Sequence, residues 1–339
     1  MTLSIIRGWR LAFILVILSV FGLFTYNQVN AQDNNTDSGS GLSISPIRFE
    51  EELAPGELAT ITMTVKNITS NELDIVNTVK DFAPDPEEGG GPKLVEPAEG
   101  ETLPYSIKPF IQPLERFPLG PGEEKEVSFV VQAPDNAAPG GYFGALQFGA
   151  LPPGSDDTVV ALQSSVAPIV FIRVPGDVVQ SMNIEQLGAS SGGNIGKFFQ
   201  SVPEHISVRI KNSGNIFEAP FGRVVVKNWR GNEVMSYELN PVLDDQGRRA
   251  YVLPQSVRRF DQAAENIGSF GRYKVQAELA YGDGGGQIIT GEATFWVIPW
   301  KTVILAIVII SGLVFILVRG IKAYNKQVVK KAKGEKSSK

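Results

Sequence analysis

The 339-residue sequence contains no cysteine. A disulfide framework and any thiolate metal site are therefore excluded. Histidine is almost as scarce: His205 stands alone beside Pro203 and Glu204, where a solvated surface role is expected. A Ser–His–acid site would have to be built on that one ring, and no Gly-x-Ser-x-Gly turn accompanies it. The calcium-loop spacing D-x-D-x-D-G is also missing. Acids do cluster, at Glu50-Glu51-Glu52, Asp85/Glu87/Glu88, Asp156-Asp157 and Asp244-Asp245. Paired carboxylates can hydrolyse glycosides when they face each other across a cleft, but these lie in polar, turn-like contexts and read as solvated faces. No enzyme, no cofactor and no catalytic or metal-binding residue is expected.

Long hydrophobic runs occur only at the two ends. Arg7 and Arg10 precede the uncharged run Leu11–Phe24, and Val29-Asn30-Ala31 supplies small residues for cleavage after Ala31. This is the pattern of a secretory signal peptide over 1–31, with an uncleaved N-terminal anchor as the alternative. Residues 32–41 are polar and read as a flexible leader. Thr302–Val318 is a second uncharged run, preceded by Trp296, Trp300 and Lys301 and followed by eight Lys/Arg against the single acid Glu335. Interfacial tryptophans and a basic flank define a transmembrane helix over 300–320 and a cytoplasmic tail over 321–339. The expected placement is a single-pass cell-membrane protein with its N-terminal region outside. Between the ends, 20 Lys/Arg face 35 Asp/Glu. So acidic a region disfavours nucleic acid as a partner and keeps the exported part soluble.

From Leu42 to Ile298 short alternating or β-branched runs recur between Gly, Pro, Asn and Asp, and no segment keeps a helical period. Each half holds about seven such runs, the number an immunoglobulin-like sandwich needs. The fold class is thus all-β: two tandem immunoglobulin-like β-sandwich domains, 42–176 and 177–298, and one C-terminal transmembrane helix. The segment 82–118 interrupts the first half with PDPEEGGG and then Tyr105, Ile107, Phe110, Ile111 and Phe117. Its apolar second part is expected to pack back on the sandwich, with partner binding as the other reading. Ala137–Gly144 (AAPGGYFG) raises the same pair of options. Its glycines mark a turn and a core strand, or an accessible edge with Tyr142 and Phe143 as contacts. Phe198 and Phe199, after the Gly-rich tip Ser190–Gly196, are a third aromatic pair of this kind. Tyr105, Phe110, Tyr142, Phe143, Phe198 and Phe199 are therefore the candidate partner contacts, together with Arg48, discussed next.

Two stretches resemble a known family. Leu42–Asn67 (LSISPIRFEEELAPGELATITMTVKN) and Leu119–Phe148 (LGPGEEKEVSFVVQAPDNAAPGGYFGALQF) are similar to the N-terminal domain of the WxL-interacting proteins of bacterial cell surfaces. The resemblance covers about 42–175. It implies a signal peptide, two immunoglobulin-like domains, a helix and a basic tail, and binding to cell-wall polymer such as peptidoglycan and to other surface proteins. Beyond Pro175, Asn212-Ser213-Gly214-Asn215, Gly222, Leu253-Pro254 and Phe270-Gly271-Arg272-Tyr273 resemble the second domain of related membrane-anchored proteins. The only W-x-L, Trp9-Arg10-Leu11, falls in the signal peptide, so the chain would be the interactor. Ser45-Pro46-Ile47-Arg48 also resembles the first strand of PapD-like pilus chaperones. That likeness implies that Arg48 anchors a partner's terminal carboxylate, although no partner lysine matches and those chaperones are soluble. The two expectations are a membrane-anchored surface adaptor and, alternatively, a tethered assembly chaperone.

Overall fold

Alternation dictates the first sandwich. In Ala59–Val65, Ile61, Met63 and Val65 fall on one face of an extended chain and Thr60, Thr62 and Thr64 on the other, and the first three are buried. The computed structural model describes residues 41–89, 91, 93–97, 103–155, 165–243 and 247–336. The expected signal peptide, its cleavage point and the leader up to Ser40 lie outside the described residues. Asp156-Asp157, Asp244-Asp245 and the end of the tail lie outside them as well.

The first sandwich contains β1 (Leu42–Ser45), β2 (Arg48–Glu52), β3 (Leu58–Asn67), β4 (Leu73–Ala83), β5 (Lys93–Val95), β6 (Phe117–Leu119), β7 (Glu124–Gln132), β8 (Gly140–Leu151), β9 (Ser165–Val166) and β10 (Ile169–Val174). One sheet has the order β1-β3-β7. The other runs β2-β10-β8-β4-β5, with β6 on β4 and β9 on β8. Pro46 has no N–H to give to a ladder, so β1 stops at Ser45 and the chain crosses to the opposite sheet. There β2 lies parallel to β10, Arg48 opposite Ile169 and Glu52 opposite Arg173. The core between the sheets includes Phe129 edge-on to Phe148, at a centroid distance of 6.0 Å. Ile107, Phe110 and Ile111, from the apolar half of the 82–118 segment, are part of that core. Ile107 is admitted because residue 144 is glycine: a Cβ there would sit 2.5 Å from Ile107 Cγ1 and 2.7 Å from Lys80 O.

The second sandwich contains β11 (Met182–Ser191), β12 (Asn194–Gly196), β13 (Phe198–Phe199), β14 (His205–Asn212), β15 (Phe221–Asn228), β16 (Glu233–Leu239), β17 (Ser256–Ala263), β18 (Gly271–Tyr281) and β19 (Gln287–Val297). Its sheets are β12-β11-β14-β17 and β13-β19-β18-β15-β16. Here too an early segment changes sheet and lies parallel to the last strand, β13 on β19. Val208, Ile210, Val224, Val275, Phe295 and Val297 fill the space between.

A buried asparagine ends the equivalent strand in each sandwich. Asn67 Nδ2 donates to the carbonyls of Asn71 (2.7 Å), Leu119 (3.1 Å) and Gly120 (2.9 Å), and its Oδ1 accepts from Thr69 N (2.9 Å). Asn212 Nδ2 donates to Ile216 O (2.7 Å) and Val252 O (3.0 Å) while Oδ1 accepts from Gly214 N (2.8 Å). Each clamps the turn after its own strand to the segment entering a neighbouring one. The two Pro-Gly-Glu turns repeat a second device. Gly56 and Gly122 take φ of 80° and 68°, as the third position of a type II turn requires, and Glu57 and Glu123 reach back to accept from Ala54 N (2.8 Å) and Gly120 N (2.7 Å).

One helix, α1 (Trp300–Lys336), follows. Its part Trp300–Asn325 has a mean hydropathy of 2.8 over its most apolar window. At about 1.5 Å per residue it exceeds the roughly 30 Å of a bilayer's hydrocarbon core. The helix continues beyond residue 320, where the span was expected to close. Ala, Lys, Gln and Val follow there and no proline stops it.

Asn67→Ala strips donors from three carbonyls, two of them entering β7. About 2–3 kcal/mol of stability should be lost, seen as a lower urea midpoint at unchanged m-value. Asn212→Ala should show a loss of similar size.

Candidate partner-binding cleft

Strand β2 reads Arg-Phe-Glu-Glu-Glu, so Phe49 enters the core and Arg48, Glu50 and Glu52 project from the outer face. It is an edge strand, and the second sandwich faces it through the segment before β17. The Arg48 guanidinium lies 4.4 Å from the Tyr251 ring centroid and 5.1 Å from that of Phe171. Its Nη1 donates to Arg249 O at 2.8 Å, and Arg248 Nη1 donates to Arg48 O at 2.7 Å. Arg48 Nε approaches Glu50 Oε1 to 2.5 Å, but not in line for a hydrogen bond, and Nη2 is buried with no hydrogen-bond partner. Tyr251 donates its hydroxyl to Glu50 Oε2 at 2.8 Å. Burial, reinforced by the Glu50 charge, drives that phenol well above the usual tyrosine range.

Around this contact the rings of Phe171, Phe217 and Tyr251 stand 4.7–5.0 Å apart. Phe82 and Phe143 extend the cluster into the first sandwich. Arg258 Nη1 donates to Tyr251 O at 2.7 Å; burial, and then the neighbouring charge of Arg48, lower its pKa. Two ion-paired contacts flank the aromatic seam. On one side Arg173 holds Asp283 with two bonds of 2.6 and 2.8 Å, and Glu218, pushed up by burial, accepts from Gly282 N. On the other side the acidic loop of the first sandwich crosses over. Glu88 makes a two-point pair with Arg209, and Glu88 O accepts from Arg259 N at 2.9 Å on the edge of β17.

Two concavities result. The smaller, about 190 Å³, is lined by Arg48, Phe82, Glu88, Phe171, Tyr251 and Arg258. The larger, about 690 Å³, lies along β2 and is walled by Glu50–Glu52, Arg173, Arg248, Arg249 and Asp283. At the smaller cavity the guanidinium groups of Arg48 and Arg258 stand with the carboxylates of Asp85 and Glu88. The mixed charges of the larger suit polypeptide. Among the described residues no three His, Cys, Asp or Glu converge as metal ligands.

Of the expected contact residues, the structure brings Arg48 and Phe143 to the seam, Phe143 as a fully buried ring. The accessible edge suggested for Tyr142 and Phe143 is corrected: there β8 is paired by β10 on one side, and on the other the 105–106 segment covers it, with Phe143 N donating to Tyr105 O at 2.9 Å. Tyr142 is half-buried against Phe110, which is itself in the core. Tyr105 stacks on Phe143 at 4.4 Å, and burial raises its hydroxyl pKa. Phe199 packs edge-on against Phe295, while Phe198 is 73% exposed. Glu50 and Glu88 are pairing groups between the sandwiches, not solvated acids, and His205 is half-buried. Sequence reasoning missed Phe171, Phe217, Tyr251 and Arg258. The available signal was the run Arg248-Arg249-Ala250-Tyr251 with Arg258-Arg259, a cationic and aromatic concentration in an acidic region.

The Arg209 guanidinium holds the Glu88 carboxyl below the ordinary 4.5. A carboxylate with a depressed pKa stabilises the folded contact above its unfolded pKa and loses that contribution as pH falls through its folded pKa. Acidification from pH 6 toward 3 should therefore release the loop. The reading is the protection factor of the Arg259 amide, whose acceptor is Glu88 O. Arg209→Ala should lower that protection about tenfold already at pH 6.

No protein-family model matches the chain, and no curated protein matches it. Solved structures with some similarity include the YadV chaperone (12% identity, TM-score 0.34, covering 75% of this chain and 100% of that one). The class 5 fimbriae chaperone CfaA gives 14% identity and a TM-score of 0.36, covering 74% and 98%. A CsuC–CsuE chaperone–subunit complex from Acinetobacter baumannii gives 13% and 0.35, covering 74% and 97%. At such TM-scores the likeness carries no argument, and the two-sandwich fold rests on the sheets described above.

Proposed function

We propose that this chain is a non-enzymatic, membrane-anchored surface adaptor that grips another surface protein in the cleft between its sandwiches. One observation carries the reading: the outer edge of β2 faces the larger concavity. In the parallel pairing with β10, Ile169 N bonds to Ile47 O and Leu53 N to Arg173 O. By the alternation of a parallel ladder, the backbone groups of Glu50 and Glu52 then point away from β10. An extended partner segment can add to such an edge, taking affinity from main-chain bonds and selectivity from the charged walls. The membrane placement rests on α1, with its basic residues inside by charge bias. Wall polymer is the other partner class implied by the family that 42–175 resembles.

A second reading, a tethered assembly chaperone, is favoured by the unpartnered Nη2 of Arg48 beside the smaller cavity. There it would receive a partner's terminal carboxylate. Since β2 covers the edge of β10, strand addition would have to use β2.

The test is capture of surface proteins from a cell-envelope extract by the detergent-solubilised chain, with sedimentation on purified peptidoglycan as a separate arm. Glu50→Lys with Glu52→Lys should lower protein capture at least about tenfold, as like charges enter the wall. No binding to either material would overturn the adaptor reading. Arg48→Ala separates the second: loss of capture of peptides with a free C-terminal carboxylate, but not of their amides, supports it, and unchanged capture of both removes it.

A further inference from the structure

The chain leaves β19 at Val297 and enters α1 at Trp300, so only Ile298 and Pro299 join sheet to helix. Two extended residues reach roughly 7 Å. This junction is also tied down: Trp296 N donates to Lys197 O and Ile298 N to Phe199 O, both at 2.8 Å. A helix that crosses a bilayer from this point carries that end of the second sandwich to the headgroup layer.

Strand registers define what the end contains. Asn228 pairs with Tyr273, Gly271 with Val297, and Phe198 with Trp296, so the termini of β13, β15, β18 and β19 meet there. Four aromatic side chains surround these termini in the open: Phe198 (73% exposed), Trp229 (67%), Phe270 (68%) and Trp296 (39%). Among the described residues they are all of the exposed aromatics in the second sandwich. Cations accompany them. Arg230 lies 4.6 Å from the Trp229 centroid and Arg272 6.0 Å from that of Trp296, while Lys197 precedes Phe198. The acids at this end are Glu204, which is engaged by Gly192 N at 2.8 Å, Glu233 and Asp261, which pair with Arg223 and Arg259 at 2.8 Å, and Glu265. In a region where acids outnumber bases 35 to 20, a basic and aromatic rim at the point of helix exit is a local reversal. Aromatic rings with a basic fringe are the side-chain chemistry of the membrane interface.

We propose that this end of the second sandwich is a lipid-contact surface: Phe198, Trp229, Phe270 and Trp296 seat at the headgroup–acyl boundary while Lys197, Arg230 and Arg272 pair with lipid phosphates. The second sandwich then stands on the bilayer in one orientation, with β2 and the partner cleft held away from it at the far end. The inference rests on the reading of α1 as a membrane anchor.

The absence of native cysteine permits a clean test with single nitroxide labels in the full chain. Labels go at Asn232→Cys beside the Trp229 turn, Gln287→Cys at the opposite end of the sheet, and Val308→Cys in α1. The chain is reconstituted in phosphatidylcholine vesicles with about one third phosphatidylglycerol, and collision with oxygen is compared with collision with a water-soluble nickel chelate. Label 308 should be buried in the bilayer and label 287 aqueous. Label 232 should show an oxygen-to-nickel ratio several-fold above that of 287. Arg230→Glu with Arg272→Glu should return 232 to the value of 287. A buried 308 with an aqueous 232 overturns the lipid-contact surface and leaves the anchor standing. An aqueous 308 overturns the anchor reading, and the inference with it. An interfacial 232 that ignores the charge reversal overturns the phosphate pairing.

Discussion

A guanidinium group held out of water between two aromatic faces organises the region where the two sandwiches meet. Arg48 could not be buried alone, since an uncompensated charge in a low-dielectric setting is strongly destabilising. Its compensation comes from both sandwiches: Glu50 and Phe171 from the first, the Tyr251 ring and the Arg249 carbonyl from the second. Arg248 closes the exchange by donating to the Arg48 carbonyl. Separating the sandwiches would expose the rings and strand the charges together, so the joint resists bending more than either component would alone. The ion pairs at Arg173–Asp283 and Glu88–Arg209 lie on opposite sides of that centre.

Each sandwich arrives at this joint by the same construction. A short early segment crosses between sheets and caps the last strand in parallel: β2 on β10 and β13 on β19. In both a buried asparagine at a strand end supplies hydrogen bonds that a tight turn would otherwise leave unmade. The consequences differ with position. In the first sandwich the capping strand forms a wall of the larger concavity, because its outer edge meets the second sandwich there. In the second sandwich the capping strand carries Phe198 beside Trp296, next to the start of the helix. One topological device thus lines the cleft at one end of the second sandwich and the exposed aromatic rim at the other.

Much of the architecture was legible because it is local. Alternation in Ala59–Val65 and Tyr273–Ala280, the Pro-Gly-Glu turns, and the uncharged run of Thr302–Val318 each follow from chemistry acting over a few residues. The cleft was legible only in part. Arg48 stood out in its strand motif, but Phe171 was concealed within a run of core residues, and Tyr251 lies in a segment with no strand pattern. Phe143 reads in the sequence as a contact, yet β10 on one side and Tyr105 on the other make it interior. Glu88 looked like one acid of a solvated loop. Its partner, Arg209, is 121 residues away.

The sequence by itself determined the all-β class, the two-part division, the apolar C-terminal helix and the contrast between an acidic middle and a basic end. Periodicity, turn chemistry and charge bias are short-range properties, written in neighbouring residues. Only the tertiary structure decided which face of β2 would be open and which aromatics would be core. It also decided that cations from Arg248 to Arg259 would meet the acids of Glu50 and Glu88, and that the exposed rings of the second sandwich would gather where the helix departs. Those outcomes depend on contacts between residues far apart in the chain, fixed by how the sheets pair and where the two sandwiches touch.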